Sequence, residues 1–120
     1  MKKATVLSFP MQKGGVGKTT TSKNVTEILG VTSKVLAVDN DQNADFTDTF
    51  TSKKVIEQSG VPTLYDVYIK NLDINDVKIK ITENIDLVPS SIMLANVDIE
   101  LTARMSREFV LKKAIEKVIY

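Results

Sequence analysis

Apolar residues in this chain fall into short unbroken runs separated by stretches with helical spacing, the pattern of an α/β protein. Residues 4–9, Ala-Thr-Val-Leu-Ser-Phe, are apolar or β-branched on both faces and read as a buried parallel strand. A helix is predicted from about Thr19 to Leu29, with Val25, Ile28 and Leu29 on its buried side and Gly30 as its C-terminal cap. Val35–Val38 reads as a second buried strand ending at Asp39, which completes a parallel, right-handed βαβ unit. From Asn40 to Gly60 the chain turns polar, and a loop with one short helix is expected. Thr63 is a good N-cap with Asp66 three residues on, opening a helix whose apolar face is Leu64, Val67 and Tyr68. Residues 77–82 alternate like an edge strand, and 85–89 suit a core strand. Two further helices are predicted over 90–105 (Leu94, Val97, Leu101, Met105 inward) and 106–119 (Val110, Ala114, Val118 inward; Lys112, Lys113 and Lys117 outward).

The 120 residues allow one domain at most, burying about two-thirds of its unfolded surface. Repeats, low-complexity tracts and linkers are absent from the sequence. Apolar residues at 42% and charged residues at 26% are ordinary for a soluble protein, and a formal charge of +1 predicts no strong overall attraction to nucleic acid or acidic lipid. With no cysteine, these residues hold no disulfide, thiolate nucleophile or Fe–S ligand; with no histidine, they lack the commonest general base and zinc ligand. Met1-Lys2-Lys3 leads into an apolar stretch too short and too interrupted for a signal peptide, and no segment approaches the ~20 apolar residues of a membrane span. A cytoplasmic protein is expected.

Chemistry enters at Lys13-Gly14-Gly15-Val16-Gly17-Lys18-Thr19-Thr20, between the first strand and the first helix. Glycines turn the chain tightly and expose backbone N–H groups, and a helix N-terminus follows them. Such a cradle binds phosphate oxygens, with the lysine ammonium as an added point charge. The hydroxyl after Lys18, on Thr19, is placed to ligate the Mg²⁺ that nucleotide phosphates carry. At the end of the second strand, Asp39 and Asp41 set two carboxylates beside that loop.

The loop departs from the general phosphate-loop pattern, because Gln12 stands where its first glycine would be and Lys13 leads instead. This form resembles the deviant Walker A loop of the ParA/MinD group of dimeric P-loop ATPases, and more specifically the ParA/Soj partition branch. Val38-Asp39-Asn40-Asp41-Gln42-Asn43-Ala44 is similar to the family's V-D-x-D-P-Q-G segment; Thr63–Val67, Leu87–Ser90 and the run from Glu100 to Lys112 follow ParA/Soj sequences in order. The resemblance implies a P-loop NTPase-like α/β fold, a mostly parallel sheet with flanking helices, of which residues 1–120 form the N-terminal part of one domain. The family's next strand, which ends in the Walker B aspartate, would begin where this sequence stops at Ile119-Tyr120. The resemblance further implies ATP bound by Lys13 to Thr20 and Mg²⁺ held by Thr19 with Asp39 in its outer shell. Lys13 would reach the partner's phosphates in an ATP-state homodimer, and Asp41 would position the attacking water. A centromere-binding protein and non-specific DNA are implied as partners by the family alone, and the absent cluster cysteines exclude the nitrogenase-iron-protein relatives. Here Gln42-Asn43 replaces the family's Pro-Gln and Ala44 its glycine.

Three functions fit these residues. The first is a plasmid or chromosome partition ATPase. The second is a non-catalytic fragment or decoy that binds nucleotide weakly or pairs with a full-length relative. The third is a MinD-like membrane-associated ATPase, which would need a terminal amphipathic helix where residues 106–119 instead align with an internal one.

Overall fold

The elements follow in the order α1 (Val16–Leu29), β1 (Val35–Val38), α2 (Asp45–Phe50), α3 (Lys53–Ser59), α4 (Leu64–Lys70), α5 (Ile74–Val77), β2 (Ile79–Lys80), β3 (Ile85–Val88), a 3-10 segment Ile92–Asn96, α6 (Val97–Glu100) and α7 (Arg107–Glu116). They are seen in a computed structural model that describes residues 5–9, 16–101 and 106–118.

The sheet runs β1-β3-β2. β1 pairs in parallel with β3, from Val35 opposite Ile85 to Val38 opposite Val88. β2 pairs antiparallel, Ile79 opposite Leu87 and Lys80 opposite Asp86. β3 is the central strand; Ile85, Leu87 and Val88 are buried, and Asp86 between them is half-buried and paired with Lys78 at 3.8 Å. The predicted edge strand over 77–82 shrinks to two residues. Asp73 accepts the N–H of Asn75 at 2.9 Å and caps α5, so Ile74 and Val77 meet the core at helical spacing. Beyond β2, the N–H groups of Ile81 and Thr82 both turn back to the Ile85 carbonyl, at 2.9 and 3.1 Å. The sheet is therefore mixed, with one parallel and one antiparallel pair.

Residues 5–9 do not form the expected buried strand. Val6, Leu7 and Phe9 are 61, 58 and 40% exposed, and no described residue pairs with them in the sheet. A parallel strand needs ladder partners and cover on both faces, and propensity alone supplies neither. Ala4 lies outside the described residues.

The first helix starts at Val16 rather than Thr19 and buries Thr26, while Ile28 is 70% exposed and Leu29 is also exposed, against expectation. Val25 is half-buried. The buried Thr26 donates its hydroxyl to the Ser22 carbonyl one turn back, at 2.7 Å. The polar stretch 40–60 holds two helices instead of one; Ser52 caps the second, and Gly60 ends it at φ +71°. The Thr63–Asp66 start is borne out: the Asp66 carboxylate accepts the Thr63 N–H at 2.8 Å, and Leu64, Val67 and Tyr68 are buried. In place of one helix over 90–105 stand the 3-10 segment and α6, ended by Leu101 in extended backbone; Met105 lies outside the described residues. Leu94 and Val97 are nevertheless fully buried, and Val110 and Ala114 of α7 join them with Leu64, Val67, Ile74, Val77 and Val88 in one core. Lys112, Lys113 and Lys117 face outward, as predicted.

Gly30 is needed for room rather than for a left-handed cap. A Cβ there would sit 2.6 Å from two side-chain carbons of buried Ile85 and 3.2 Å from the Thr26 carbonyl oxygen. Gly30→Ala should lower unfolding free energy by about 1–3 kcal/mol, the usual cost of overpacking. Chemical denaturation measures this, and an unchanged midpoint would contradict the close helix–strand approach.

Candidate nucleotide-binding site

β1 carries Asp39 to its C-terminal end, where the Asp39 N–H donates to the Val88 carbonyl at 3.2 Å. The residue is 3% exposed. One carboxylate oxygen, Oδ2, accepts both the backbone N–H of Thr47 (2.8 Å) and its hydroxyl (2.7 Å). The other, Oδ1, accepts the Asp41 N–H at 3.2 Å. Burial pushes the Asp39 carboxyl above the usual carboxylate range; the two Thr47 bonds and then the Asp41 N–H pull it back, and the Asp41 charge adds a smaller upward push. Thr47 is itself fully buried, and its hydroxyl accepts the Ser90 N–H at 2.9 Å while donating to Asp39. The Ser90 hydroxyl donates to the Asp41 carbonyl. The end of β1, the first turns of α2 and the residues after β3 are thus joined by one polar chain.

Asp41 is half-buried, and its Oδ1 accepts the Asn43 N–H at 3.1 Å. Its other carboxylate oxygen has no hydrogen bond among the described residues. The chain then turns through Ala44, buried and left-handed at φ +56°. That conformation costs a non-glycine residue about 1–2 kcal/mol, which is a physical reason for the glycine that the resemblance leads one to expect here. The turn is held by the Ala44 N–H on the Asp41 carbonyl at 2.9 Å, and it opens α2.

Of the predicted phosphate cradle, Lys13, Gly14 and Gly15 lie outside the described residues, whereas Val16, Gly17 and Lys18 open α1. Thr19 is half-buried and Thr20 exposed in the first turns of that helix. α1 packs against both α2 and β1, the elements that carry the aspartates. No hydrogen bond among the described residues joins Thr19 to Asp39 or Asp41; the bond between the two aspartates runs from the Asp41 backbone N–H to the Asp39 carboxylate. Among the described residues no three carboxylates cluster as a ready-made cation site. The donor set nonetheless suits Mg²⁺ arriving with a nucleotide. Three of the roughly four acceptor positions of Asp39 are filled, leaving one for a metal-bound water rather than a direct bond.

Sequence reasoning missed Thr47, Ser90, Asn40 and Arg107. Ser90 stood in a stretch that follows the family, but nothing there announced its partner. Asn40 and Arg107 stood in such stretches too, and the contacts of all four are visible only once α2, the residues after β3 and α7 meet the end of β1.

The sequence profile of a family described as an AAA domain matches residues 4–119. The chain belongs to this family, in its ParA/Soj branch. It is 40% identical over 116 residues to the sporulation initiation inhibitor protein Soj of Bacillus subtilis, covering 94% of this chain and 44% of Soj. A plasmid partition protein from Borrelia burgdorferi superposes with a TM-score of 0.81 at 30% identity, over 99% of this chain and 52% of that one. The cobyrinic acid a,c-diamide synthase of Mycobacterium smegmatis, solved with a bound ATP analog and magnesium, gives a TM-score of 0.73 at 28% identity, over 88% of this chain and 43% of that one. This ParA/Soj member thus spans about half the length of the relatives it matches, or less. Its α/β fold is that of the P-loop NTPases.

In this ParA/Soj member, Thr47→Val keeps the shape of the side chain but removes a charge-assisted donor to Asp39 and orphans the buried Ser90 N–H. The expected loss is about 2–4 kcal/mol in denaturant unfolding, with Thr47→Ser costing markedly less. Equal losses for the two variants would mean that the hydroxyl is not what holds the loop.

Proposed function

We propose that the chain supplies the nucleotide-binding part of a ParA/Soj-type partition ATPase, with residues 1–120 forming the N-terminal part of one domain. The observation that carries this reading is the paired-carboxylate loop: Asp39 is buried and fixed by Thr47, while one carboxylate oxygen of Asp41, just past the end of a parallel strand, has no hydrogen bond among the described residues. ATP would lie at the N-terminus of α1, its phosphates against Gly14 to Lys18, where backbone N–H groups and the helix dipole favour anions. Thr19 would hold Mg²⁺ through its hydroxyl and Asp39 through water; the ion would neutralise charge on the phosphates. Lys18 would bind the β- and γ-phosphates, and Thr20 would complete the cradle. Asp41 would orient water in line with the γ-phosphate, with no need for a strong base, since phosphoryl transfer depends mainly on positioning and charge stabilisation. In an ATP-state homodimer Lys13 would reach the partner's phosphate. A cytoplasmic setting, a centromere-binding protein and non-specific DNA complete the proposal. Among the described residues no helix is long and apolar enough to cross a membrane.

Calorimetric titration of the 120-residue chain with Mg²⁺-ATP tests the cradle. Binding is expected to be weak but measurable. Lys18→Ala should weaken it some tens-fold, the worth of one charge-assisted phosphate contact of about 2–3 kcal/mol. Asp41→Ala, acting on water rather than phosphate, should change it no more than a few-fold. Wild-type affinity in Lys18→Ala would overturn the assignment.

A further inference from the structure

Asn40 sits between the two aspartates, and its side chain points away from both. Its Oδ1 accepts the hydroxyl of Tyr68 at 3.1 Å and a guanidinium N–H of Arg107 at 2.8 Å. The same guanidinium nitrogen lies 3.3 Å from the Asn40 carbonyl oxygen. Two groups acting as donors converge on one atom, which fixes the amide with its oxygen toward them. The Arg107 guanidinium also lies over the Tyr68 ring, 5.4 Å from its centroid. Tyr68 is buried in the core on α4, and Arg107 opens α7 behind the Ser106 cap, whose hydroxyl accepts the Phe109 N–H at 3.1 Å. The acidic partner of Arg107, Asp98, is 3.8 Å away and largely exposed, so it contributes little to holding the cation.

We propose that Arg107 is a positioning residue for the acidic loop: laid over Tyr68 and bonded to Asn40, it fixes the residue between Asp39 and Asp41 and so sets where the Asp41 carboxylate is presented. This rests on the role given to Asp41 above. Asp39 is anchored from α2, the Asp41 carbonyl from Ser90 and the Asp41 N–H by Asp39 itself, but none of these bonds holds the Asn40 side chain or its carbonyl from outside the loop. Arg107 and Tyr68 do. They also connect Asn40 to α7, so a shift of α7 changes the loop. A guanidinium suits this place because one planar cation can stack on an aromatic face and donate in its own plane.

Amide hydrogen exchange by NMR on the 120-residue chain tests the proposal. Arg107→Ala should speed exchange about ten-fold or more at Asp41, Asn43 and Ala44, whose N–H groups bond within the loop, and shift their resonances. The amides of Gly30 and Leu64, bonded to Thr26 and Pro89, should keep their protection. Arg107→Lys, which retains a cation over Tyr68 and a single donor, should restore most of the loop protection; Lys113→Ala on the same helix should change nothing. Tyr68→Phe should reproduce the loop effect in weaker form, and it decides the question if Arg107→Ala does not fold. Unchanged loop amides, or loop and control amides rising together, would overturn the proposal. The two readings fail separately: wild-type nucleotide affinity in Lys18→Ala removes the phosphate assignment and leaves the exchange result standing.

Discussion

Burying the Asp39 carboxylate is the constraint around which the end of the sheet is arranged. A carboxylate taken out of water is costly unless its oxygens are given donors. Here the donors come from Thr47, eight residues on, and that demand places α2. The Thr47 hydroxyl, once committed to Asp39, still has acceptor capacity, which the Ser90 N–H uses. Ser90 follows β3, the neighbour of β1, so one charged group ties together the strand that bears it, the helix that follows and the adjacent strand's exit. Asp41 inherits its position from this arrangement. Its carbonyl is held by Ser90 and its N–H by Asp39, while its carboxylate stays half-exposed.

What could be read from the sequence was whatever local chemistry decides. β1 was legible because its apolar residues are contiguous and bounded by polar ones, β3 because Ile85, Leu87 and Val88 crowd four positions ahead of a proline, and the start of α4 because Thr63 and Asp66 satisfy each other's backbone within one turn. The aspartate pair was legible by its place at a strand end. The failures share a cause. Residues 5–9 have strand propensity but no described partner, and Val77 to Thr82 alternate convincingly until the Asp73 cap draws Val77 into a helix. The buried side of α1 was misjudged because the close approach to Ile85 is made at Gly30, which has no side chain, and Thr26 is buried, while Ile28 and Leu29 are exposed. Thr47 and Arg107 were invisible for the same reason: their roles belong to partners far away along the chain.

Ala44 shows a left-handed turn held without a glycine. The conformation has a cost, offset by the Ala44 N–H on the Asp41 carbonyl and by the Ala44 carbonyl accepting the Asp48 N–H at the start of α2, both at 2.9 Å. The Gln42-Asn43 replacement is accommodated on the exposed side of the same turn, where the Asn43 N–H caps the Asp41 carboxylate. Loop geometry is therefore set by the anchors on either side more than by the residues at its tip.

The account is tested most directly by a crystal structure of the chain with Mg²⁺ and a non-hydrolysable ATP analogue. It predicts the phosphates at the start of α1 against Gly14 to Lys18, the Thr19 hydroxyl on the metal, and Asp39 still bonded to Thr47 and reaching the ion only through water. Phosphates bound elsewhere, or Asp39 released from Thr47 to ligate the metal directly, would contradict it.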